Sequence, residues 1–284
     1  MKYLLPIKEK FHKGQAVLVV LLVMSVLLTL GLSAVSRSVT DIKISQQTQE
    51  SARAFWTAQA GLEKALLAQG TTVGEIDGVT YEVTKTQLGG SADFVFSEGV
   101  GVGENFVYWL VDHDSDGNIG TNFYSRDKLT VYWGNYWGNS ADSPAPALVA
   151  TLIYKDIVGN FRSRKFAFDP SVRSPATNFS SPDSGIGHSV GENIFAYKAT
   201  ISGLPSLPGY GEPYFVNIRM IYNTIPQILG IQTEESGFVQ GYCYESTAKV
   251  AVSNIVRKLR ECRTWPKTPG IFDYLLFSGG DLNQ

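Results

Sequence analysis

The chain has 284 residues, with 24 Lys and Arg against 26 Asp and Glu, so its formal net charge is −2. This balance offers no excess of cations to a polyphosphate backbone and disfavours a nucleic-acid partner. Hydrophobic residues make up 44% of the chain and charged residues 18%, which excludes general disorder. Only three His and two Cys are present, which leaves little material for a His-based catalytic centre or a Cys/His zinc site. We therefore expect a folded protein that is not an enzyme.

The first elements are a basic leader and an apolar segment. Residues 1–14 carry four lysines and one glutamate, a net charge of +3. From Ala16 to Val35 the chain runs for 20 residues without an ionisable group, about the length that crosses a bilayer as a helix. Because lysines precede this segment, the positive-inside rule places the N-terminus in the cytoplasm and everything after Arg37 outside. The sequence predicts a single-pass protein of the cytoplasmic membrane.

Three interpretations compete for this segment. A cleaved secretory signal needs small residues before its cut, and Ala34 and Ser36 fit this pattern weakly after an apolar run that is too long. A plain single-span anchor explains the hydrophobicity but leaves the boundary Lys13-Gly14-Gln15 without a role. The third interpretation, a prepilin leader, accounts for both features.

The helical pattern continues beyond the apolar segment. No proline occurs between Gly14 and Pro144, and apolar residues such as Ile42, Phe55 and Leu62 recur at spacings compatible with one helical face. We predict one amphipathic helix over 15–69, with its membrane-spanning part at 16–35 and Gly70 as its C-terminal cap. At 55 residues it would measure about 80 Å.

A short basic leader that ends in Lys-Gly, an uncharged half-helix and the continuation SARAFWTAQAGLEKAL resemble a known family. They resemble the prepilin-type subunits of type IV pili and type II secretion pseudopili, and most of all the PilX-type minor pilins. The resemblance covers about residues 8–68. It implies that prepilin peptidase recognises Lys13 and Gly14 and cuts before Gln15, which becomes the first mature residue and is N-methylated. The leader would be residues 1–14.

One residue departs from the family pattern. Major pilins carry Glu at the fifth mature position, where it is thought to neutralise the N-terminal amine of a neighbouring subunit in the apolar filament core. Counted from Gln15, that position is Val19 here. Pseudopilins that look like tip subunits share this absence. The resemblance therefore implies a minor, tip or initiating subunit; the alternative is a protein that shares only the signal and stays in the membrane.

After Gly70 the hydrophobic period changes from helical to alternating, which predicts an α+β fold with a β-rich antiparallel extracytoplasmic domain packed on the outer half of the helix. Asp77-Gly78 predicts a hairpin turn, and Val158-Gly159-Asn160 predicts a second. The predicted organisation beyond the helix is a β-rich head at 71–168, a loop or linker at 169–192 and a second β region at 193–284. The strand candidates are Asn105–Asp112, Leu129–Trp133, Ala147–Lys155, Asn160–Phe168, Asn193–Ile201, Tyr214–Asn223, Gly237–Tyr244 and Ala248–Lys258.

An acidic run after the first of these strands suggests a cation site. Asp112, Asp114 and Asp116, with Asn118 in the place of a backbone-carbonyl ligand, match the start of a calcium-binding loop. The match is partial because Phe123 stands at the twelfth position, where a bidentate Glu is expected. Ca²⁺ is the only cofactor predicted, and an ordinary Asp/Gly-rich turn is the alternative.

Two further features invite a role. Cys243 and Cys262 are an even pair in a domain expected outside the cytoplasm, where disulfides persist, so we predict a bond between them. The near-repeat YWGNYWGN presents four large aromatic side chains that can stack on sugars or anchor a protein partner, or can serve the core of the domain itself. They are Tyr132, Trp133, Tyr136 and Trp137.

Together these features predict a minor subunit of a type IV pilus or related pseudopilus that packs through its N-terminal helix and displays a β-rich head. The resemblance implies other pilin subunits, prepilin peptidase, an inner-membrane assembly platform and the lipid bilayer as partners. In similar proteins with larger exported regions a phrase like the apolar run near Leu275 leads into a further β domain, so the resemblance leaves two alternatives: the chain is part of something longer, or that domain is absent here. The alternative function is a membrane-anchored surface binding protein or adhesin.

Overall fold

The computed structural model describes residues 13–137, 140–141, 145–173, 178–205 and 211–267. Within these ranges one long N-terminal helix is followed by sixteen strands, and the strand pairs of the larger sheets run antiparallel. The fold class is therefore α+β, as the change of hydrophobic period predicts.

The elements follow one another without a second helix in the described ranges. In chain order they are α1 Lys13–Ala68, β1 Thr72–Ile76, β2 Val79–Gly89, β3 Asp93–Val100, β4 Asn105–Trp109, β5 Val111–His113, β6 Ile119–Phe123, β7 Lys128–Trp137, β8 Ser140–Ala141, β9 Ala147–Lys155, β10 Phe161–Phe168, β11 Asp183–Val190, β12 Asn193–Ser202, β13 Glu212–Ile221, β14 Gln227–Thr233, β15 Val239–Val250 and β16 Val256–Thr264.

The end of α1 differs in detail from the predicted cap. Gln69, with a φ of 50°, occupies the left-handed position that we assigned to Gly70. Gly70 instead donates its backbone N–H to the carbonyl of Ala65 at 3.2 Å, six residues from start to end as in a Schellman motif. The helix therefore ends at Ala68, one residue before the predicted end, and Gln69 and Gly70 together form its C-terminal cap.

The chain divides into two compact units, and the first contains residues 1–84 and 245–259. It holds α1, β1 and the adjoining parts of β2, β15 and β16, which belong to a four-stranded sheet of order β1-β2-β15-β16. Asp77 and Gly78 join β1 to β2 as a two-residue loop with positive φ at both positions, 49° and 75°. This confirms the hairpin predicted from the Asp-Gly pair.

The second unit contains residues 85–244 and 260–284. Its two larger sheets have the orders β11-β12-β7-β14-β3, with β8 beside β7, and β10-β9-β13-β4, and β5 pairs with β6. The main core draws side chains from both sheets, among them Trp133 and Ile231 from the first and Leu152 and Ile218 from the second. All four are fully buried.

The sheets combine strands that we assigned to separate regions. Strand β12 pairs with β7, and β13 pairs with both β9 and β4, so the predicted regions 71–168 and 193–284 share the same sheets. In addition, β11 forms inside 169–192, which we predicted as a loop or linker. Its sequence DSGIGHSV lacks the aliphatic alternation of a strand, and it is held by pairing with β12.

Strand ends also differ. Ala147–Lys155 is confirmed to the residue as β9. The predicted strand Asn105–Asp112 is broken at Leu110, whose N–H is bonded to Tyr214 and whose carbonyl accepts from Tyr124. Near the end of the described chain, β15 runs without a break to Val250, where we had expected two strands that part around Ser246.

Candidate functional site

The N-terminal helix α1 presents the largest unpartnered apolar surface in the described chain. Every described side chain from Val17 to Gln49 is exposed. The helix has a mean hydropathy of 2.7 over its most apolar 18-residue window, and none of that window is buried inside the protein. By length and composition it can cross a membrane. An apolar surface of this size requires lipid or another protein as its partner.

Polar groups within the apolar segment are satisfied by the helix itself. Ser25 donates its hydroxyl to the carbonyl of Leu22, and Thr29 donates to the carbonyl of Val26, each at 2.8 Å. A hydroxyl bonded to its own helix leaves no donor unpaired when the surroundings are apolar. Ser25 and Thr29 are therefore compatible with a lipid or helix-packed environment.

The second half of α1 packs on the sheet of the first unit through small side chains. Ala54, Ala58 and Ala65 are completely buried, and Thr57 and Leu62 are buried with them. Their spacing of three or four residues marks one helical face. The helix is thus divided into an exposed half and a half that is fixed to the folded domain.

Two contacts explain why this face carries small residues. The buried Ser246 hydroxyl of β15 donates to the carbonyl of Ala58 at 2.7 Å, which requires close approach of strand and helix. At Gly61 an added Cβ would lie 2.5 Å from a ring atom of Tyr81, so any side chain there would collide with the ring. The Lys64 ammonium group donates a hydrogen bond to the hydroxyl of the same tyrosine at 3.3 Å.

Not all of the predicted helical face is buried. Ile42 and Val39 remain exposed at 55% and 46%, and Phe55 at 39%. Trp56, which we did not single out, is exposed at 64% with its ring against Phe55. In the sequence, Trp56 is an aromatic residue that directly follows Phe55 and lies outside the periodic apolar face.

The predicted processing residues lie at the start of α1. Lys13, Gly14 and Gln15 form its first turn, and their side chains fall outside the described part, as do residues 1–12 of the leader. Val19 is exposed at 55% on the apolar half of the helix. The structure thus places Gly14 and Val19 on the same helix.

The acidic run lies in the β5–β6 turn, but its carboxylates point to different partners. Asp114 accepts hydrogen bonds from the backbone N–H groups of Asp116 and Asn118 and from the Asn118 amide, each at 2.9 Å. Asp112 accepts instead from the backbone and the side chain of Asn122, at 3.0 and 2.6 Å. In the described ranges no three Asp, Glu, His or Cys side chains converge on a point. Calcium binding stays a prediction.

Hydrogen bonding has an electrostatic consequence in this turn. The Asn118 amide, followed by the backbone N–H groups, holds the pKa of Asp114 below its usual value. Gly117, with a φ of 85°, allows the chain to reverse tightly enough to bring these donors to one carboxylate. The turn is therefore stabilised by an ionised Asp114.

His113, between the acidic residues, is a packing residue. Its ring stacks on Trp265 at 4.9 Å between centroids and meets Trp109 edge-on at 4.6 Å. Burial lowers the pKa of the imidazole, and this effect outweighs the opposing influence of the Val111 backbone and of the Asp112 and Asp114 carboxylates. These surroundings favour a neutral ring inside an aromatic cluster.

The first two aromatic residues of the repeat lie in the core, which is one of the two roles that the sequence left open for them. Tyr132 and Trp133 lie on β7, in the middle of the six-stranded sheet, and are 7% and 0% exposed. The Trp133 indole donates to the carbonyl of Pro146 at 2.9 Å, and the Tyr132 hydroxyl donates to Gln232 at 2.9 Å. Burial on both faces of β7 removes these two rings from any exposed site. The side chains of Tyr136 and Trp137 lie outside the described part.

Cys243 and Cys262 form the predicted disulfide bond. The bond joins the neighbouring strands β15 and β16 within the second unit, and the Cys243 residue is only 2% exposed. The Arg260 guanidinium lies 3.5 Å from the Cys243 sulfur. An intact disulfide fits a domain that resides in an oxidising compartment.

Comparison of the chain with family models, with curated proteins and with solved structures finds no match.

Proposed function

We propose that the chain is a prepilin-like minor subunit of a type IV pilus or a related pseudopilus, without enzymatic activity. The observation that carries this proposal is the division of α1. One continuous helix offers an exposed apolar half over Val17–Val35 and fixes its other half to a β-rich unit through Ala54, Ala58 and Ala65.

The division supports a role in assembly by exchange of partners. While the exposed half lies in a bilayer, its side chains contact lipid; in a filament they would contact the apolar halves of other helices. Lipid tails and Leu-rich helices are similarly apolar, so the exchange costs little free energy of transfer. The second half of α1 stays attached to its β-rich unit through Ser246 and the close contact at Gly61. The unit therefore moves with the helix when lipid contacts are exchanged for contacts with other helices.

In this proposal α1 spans the cytoplasmic membrane with its N-terminus inside and the β-rich domain outside. The disulfide supports the outside location of Cys243 and Cys262. Prepilin peptidase would remove residues 1–14, and an inner-membrane platform would move the mature subunit toward other pilins. Val19 supports a tip or initiating position, because it lacks the carboxylate that a repeating subunit offers to the next amine.

The N-terminal mass of the full chain tests this proposal. When the chain is produced together with a prepilin peptidase, we expect a mature species that begins at Gln15 and carries an N-methyl group. Gly14→Asp should block the cut. Gly31→Ala is the matched control on the same helix, because a Cβ at Gly31 meets nothing within 4 Å.

Other N-termini contradict the proposal in distinct ways. An uncut species that begins at Met1 would favour the membrane-anchored surface binding protein. A species that begins near Arg37 would show a cleaved secretory signal. Cleavage of the Gly14→Asp variant at the same rate as the parent chain would remove the assigned role of Gly14.

A further inference from the structure

The turn between β9 and β10 exposes a small apolar cluster that the proposed function does not use. Ile157 is 72% exposed, Val158 78% and Phe161 65%. The three lie within five consecutive residues at the end of a hairpin. Large aliphatic and aromatic side chains grouped at this exposure are typical of a contact surface. We call residues 157–161 the hairpin tip.

The hairpin tip is held in one conformation by Asp156. One oxygen of its carboxylate accepts the N–H groups of Val158 and Asn160, at 3.0 and 2.8 Å. The backbone carbonyl of Asp156 accepts from Gly159 at 2.9 Å. Because these hydrogen bonds already fix the backbone of the turn, binding through the apolar side chains does not require the turn to lose further conformational entropy.

Basic residues surround the tip on the same hairpin. Between Lys155 and Lys165 the chain carries four cations and one carboxylate, a net charge of +3 in a chain whose overall charge is −2. Arg162 is bonded to Asp156 and Arg164 to the carbonyl of Gly203, so both guanidinium groups are fixed near the tip. Glu212 lies beside Lys155 in the sheet and lowers the local charge by one. A positive excess remains.

We propose that the hairpin tip inserts into the interface of an anionic lipid bilayer. Along β10 the residues advance by about 3.3 Å each, which places residues 162–165 roughly 3–13 Å behind Phe161. An interfacial segment buries its apolar side chains about 5–10 Å deep, at the boundary of headgroups and acyl chains. With the tip at that depth, Arg162, Arg164 and Lys165 lie among the lipid phosphates.

The order of apolar and basic residues favours lipid over an acidic protein. The exposed apolar side chains lie at the end of the hairpin, and the basic residues follow behind them along β10. A bilayer interface has the same order, because its acyl chains accept apolar side chains and its phosphate groups attract the basic residues behind them. The proposal goes beyond pilus assembly, since it holds whether or not the leader is removed.

A fluorophore at the tip tests the proposal on the full chain. Both native cysteines are engaged in the disulfide, so Val158→Cys introduces a single reactive thiol for a polarity-sensitive label. The labelled protein is reconstituted into vesicles that carry quenchers on their acyl chains. We expect a blue shift and quenching in phosphatidylcholine vesicles that contain phosphatidylglycerol, and neither in phosphatidylcholine alone. Raised salt should return the signal to the neutral-vesicle value, because it screens the basic residues.

Val102→Cys is the matched control. Val102 is 64% exposed in the turn between β3 and β4, but its neighbours are Glu98 and Glu104 instead of cations. Its label should stay in water in both kinds of vesicle. Equal signals at position 158 in neutral and anionic vesicles, or no quenching in either, would overturn the proposal. A signal that follows protein density instead of lipid charge would identify a second copy as the occupant and would also overturn it.

Discussion

Small residues set the distance between α1 and the sheet of its unit. Gly61 has no side chain because the Tyr81 ring occupies the space, and Ala58 brings its carbonyl to Ser246. Periodicity in the sequence predicted Leu62 on one helical face, and Leu62 is buried in this contact. The need for Gly at position 61 was not predicted, because it depends on a tyrosine that follows 20 residues later on another element.

Gly61→Ala should destabilise the first unit. The new Cβ would lie 2.5 Å from the ring of Tyr81, and overpacking of this kind costs roughly 1–3 kcal/mol. The higher helix propensity of Ala offsets at most about 1 kcal/mol of this loss in unfolding free energy. We expect a net loss of about 1 kcal/mol, measured by denaturant unfolding of the full chain in detergent. Gly31→Ala should not destabilise the chain, and equal stability of the two variants would contradict the packing argument.

Asp114 should make the β5–β6 turn sensitive to acid. In the folded state the Asn118 amide and the backbone N–H donors lower the pKa of Asp114 below its usual value of 3.8. The ionised carboxylate therefore stabilises the turn fully at pH values above 3.8. This stabilisation is lost as the pH falls through the lower folded-state pKa. Amide exchange at Asp116 and Asn118, followed from about pH 5 to about pH 2, should show the turn opening.

Asp114→Asn should remove this dependence, because the amide keeps an acceptor oxygen but does not titrate. The Asp156 turn serves as an internal reference, since its carboxylate also has a lowered pKa through bonds from Asn160 and Arg162. It should open with acid in both proteins. An unchanged acid response at Asn118 in the variant would assign the effect to another group.

At the scale of elements, the sequence predicted those helices, strands and turns that depend on residues close together in the chain. The helix, the Asp77-Gly78 hairpin and strand β9 follow from periodicity and turn residues close in sequence. Strands β3, β11 and β14 escaped prediction, and β11 in particular lies in a Ser/Gly-rich stretch. Such strands form because partners far along the chain offer them hydrogen bonds, and a single sequence does not reveal those pairings.

The position of the aromatic repeat also depends on distant partners. The sequence YWGNYWGN left a binding role and a role in the core open, and in the structure β7 has Tyr132 buried on one face and Trp133 buried on the other. Alternation along the strand predicts opposite faces for the two rings. Only the packing of distant segments against the two faces of the sheet shows that both rings are buried.

The disulfide between β15 and β16 should contribute measurably to stability. Its cysteines are 19 residues apart, and closing a loop of this length stabilises the folded state by about 3 kcal/mol on the chain-entropy model. Reductant should therefore lower the unfolding midpoint of the full chain. A chain with Cys243→Ser and Cys262→Ser should match the reduced protein and ignore reductant. An unchanged midpoint in the parent chain would show that the bond is not a stability element.

At the scale of the whole chain, organisation was harder to predict than composition. We predicted a loop or linker at 169–192, whereas the two compact units are divided elsewhere, with residues 245–259 in the unit that contains α1. No local feature of the sequence predicts this assignment, because β15 and β16 have the sequence pattern of ordinary strands. What the sequence did indicate is one long helix over 15–69 with an apolar first part, and the structure has α1 over Lys13–Ala68, followed by a β-rich chain.

The central claim is that this helix leaves the membrane and packs into a filament. The most direct measurement is immunolabelling of sheared surface filaments from cells that produce the full chain, together with its Gly14→Asp variant. We predict label at filament ends for the parent chain and only in the membrane fraction for the variant. Label spread evenly along the filaments would contradict the tip position, and a correctly processed chain that never leaves the membrane fraction would contradict filament assembly itself.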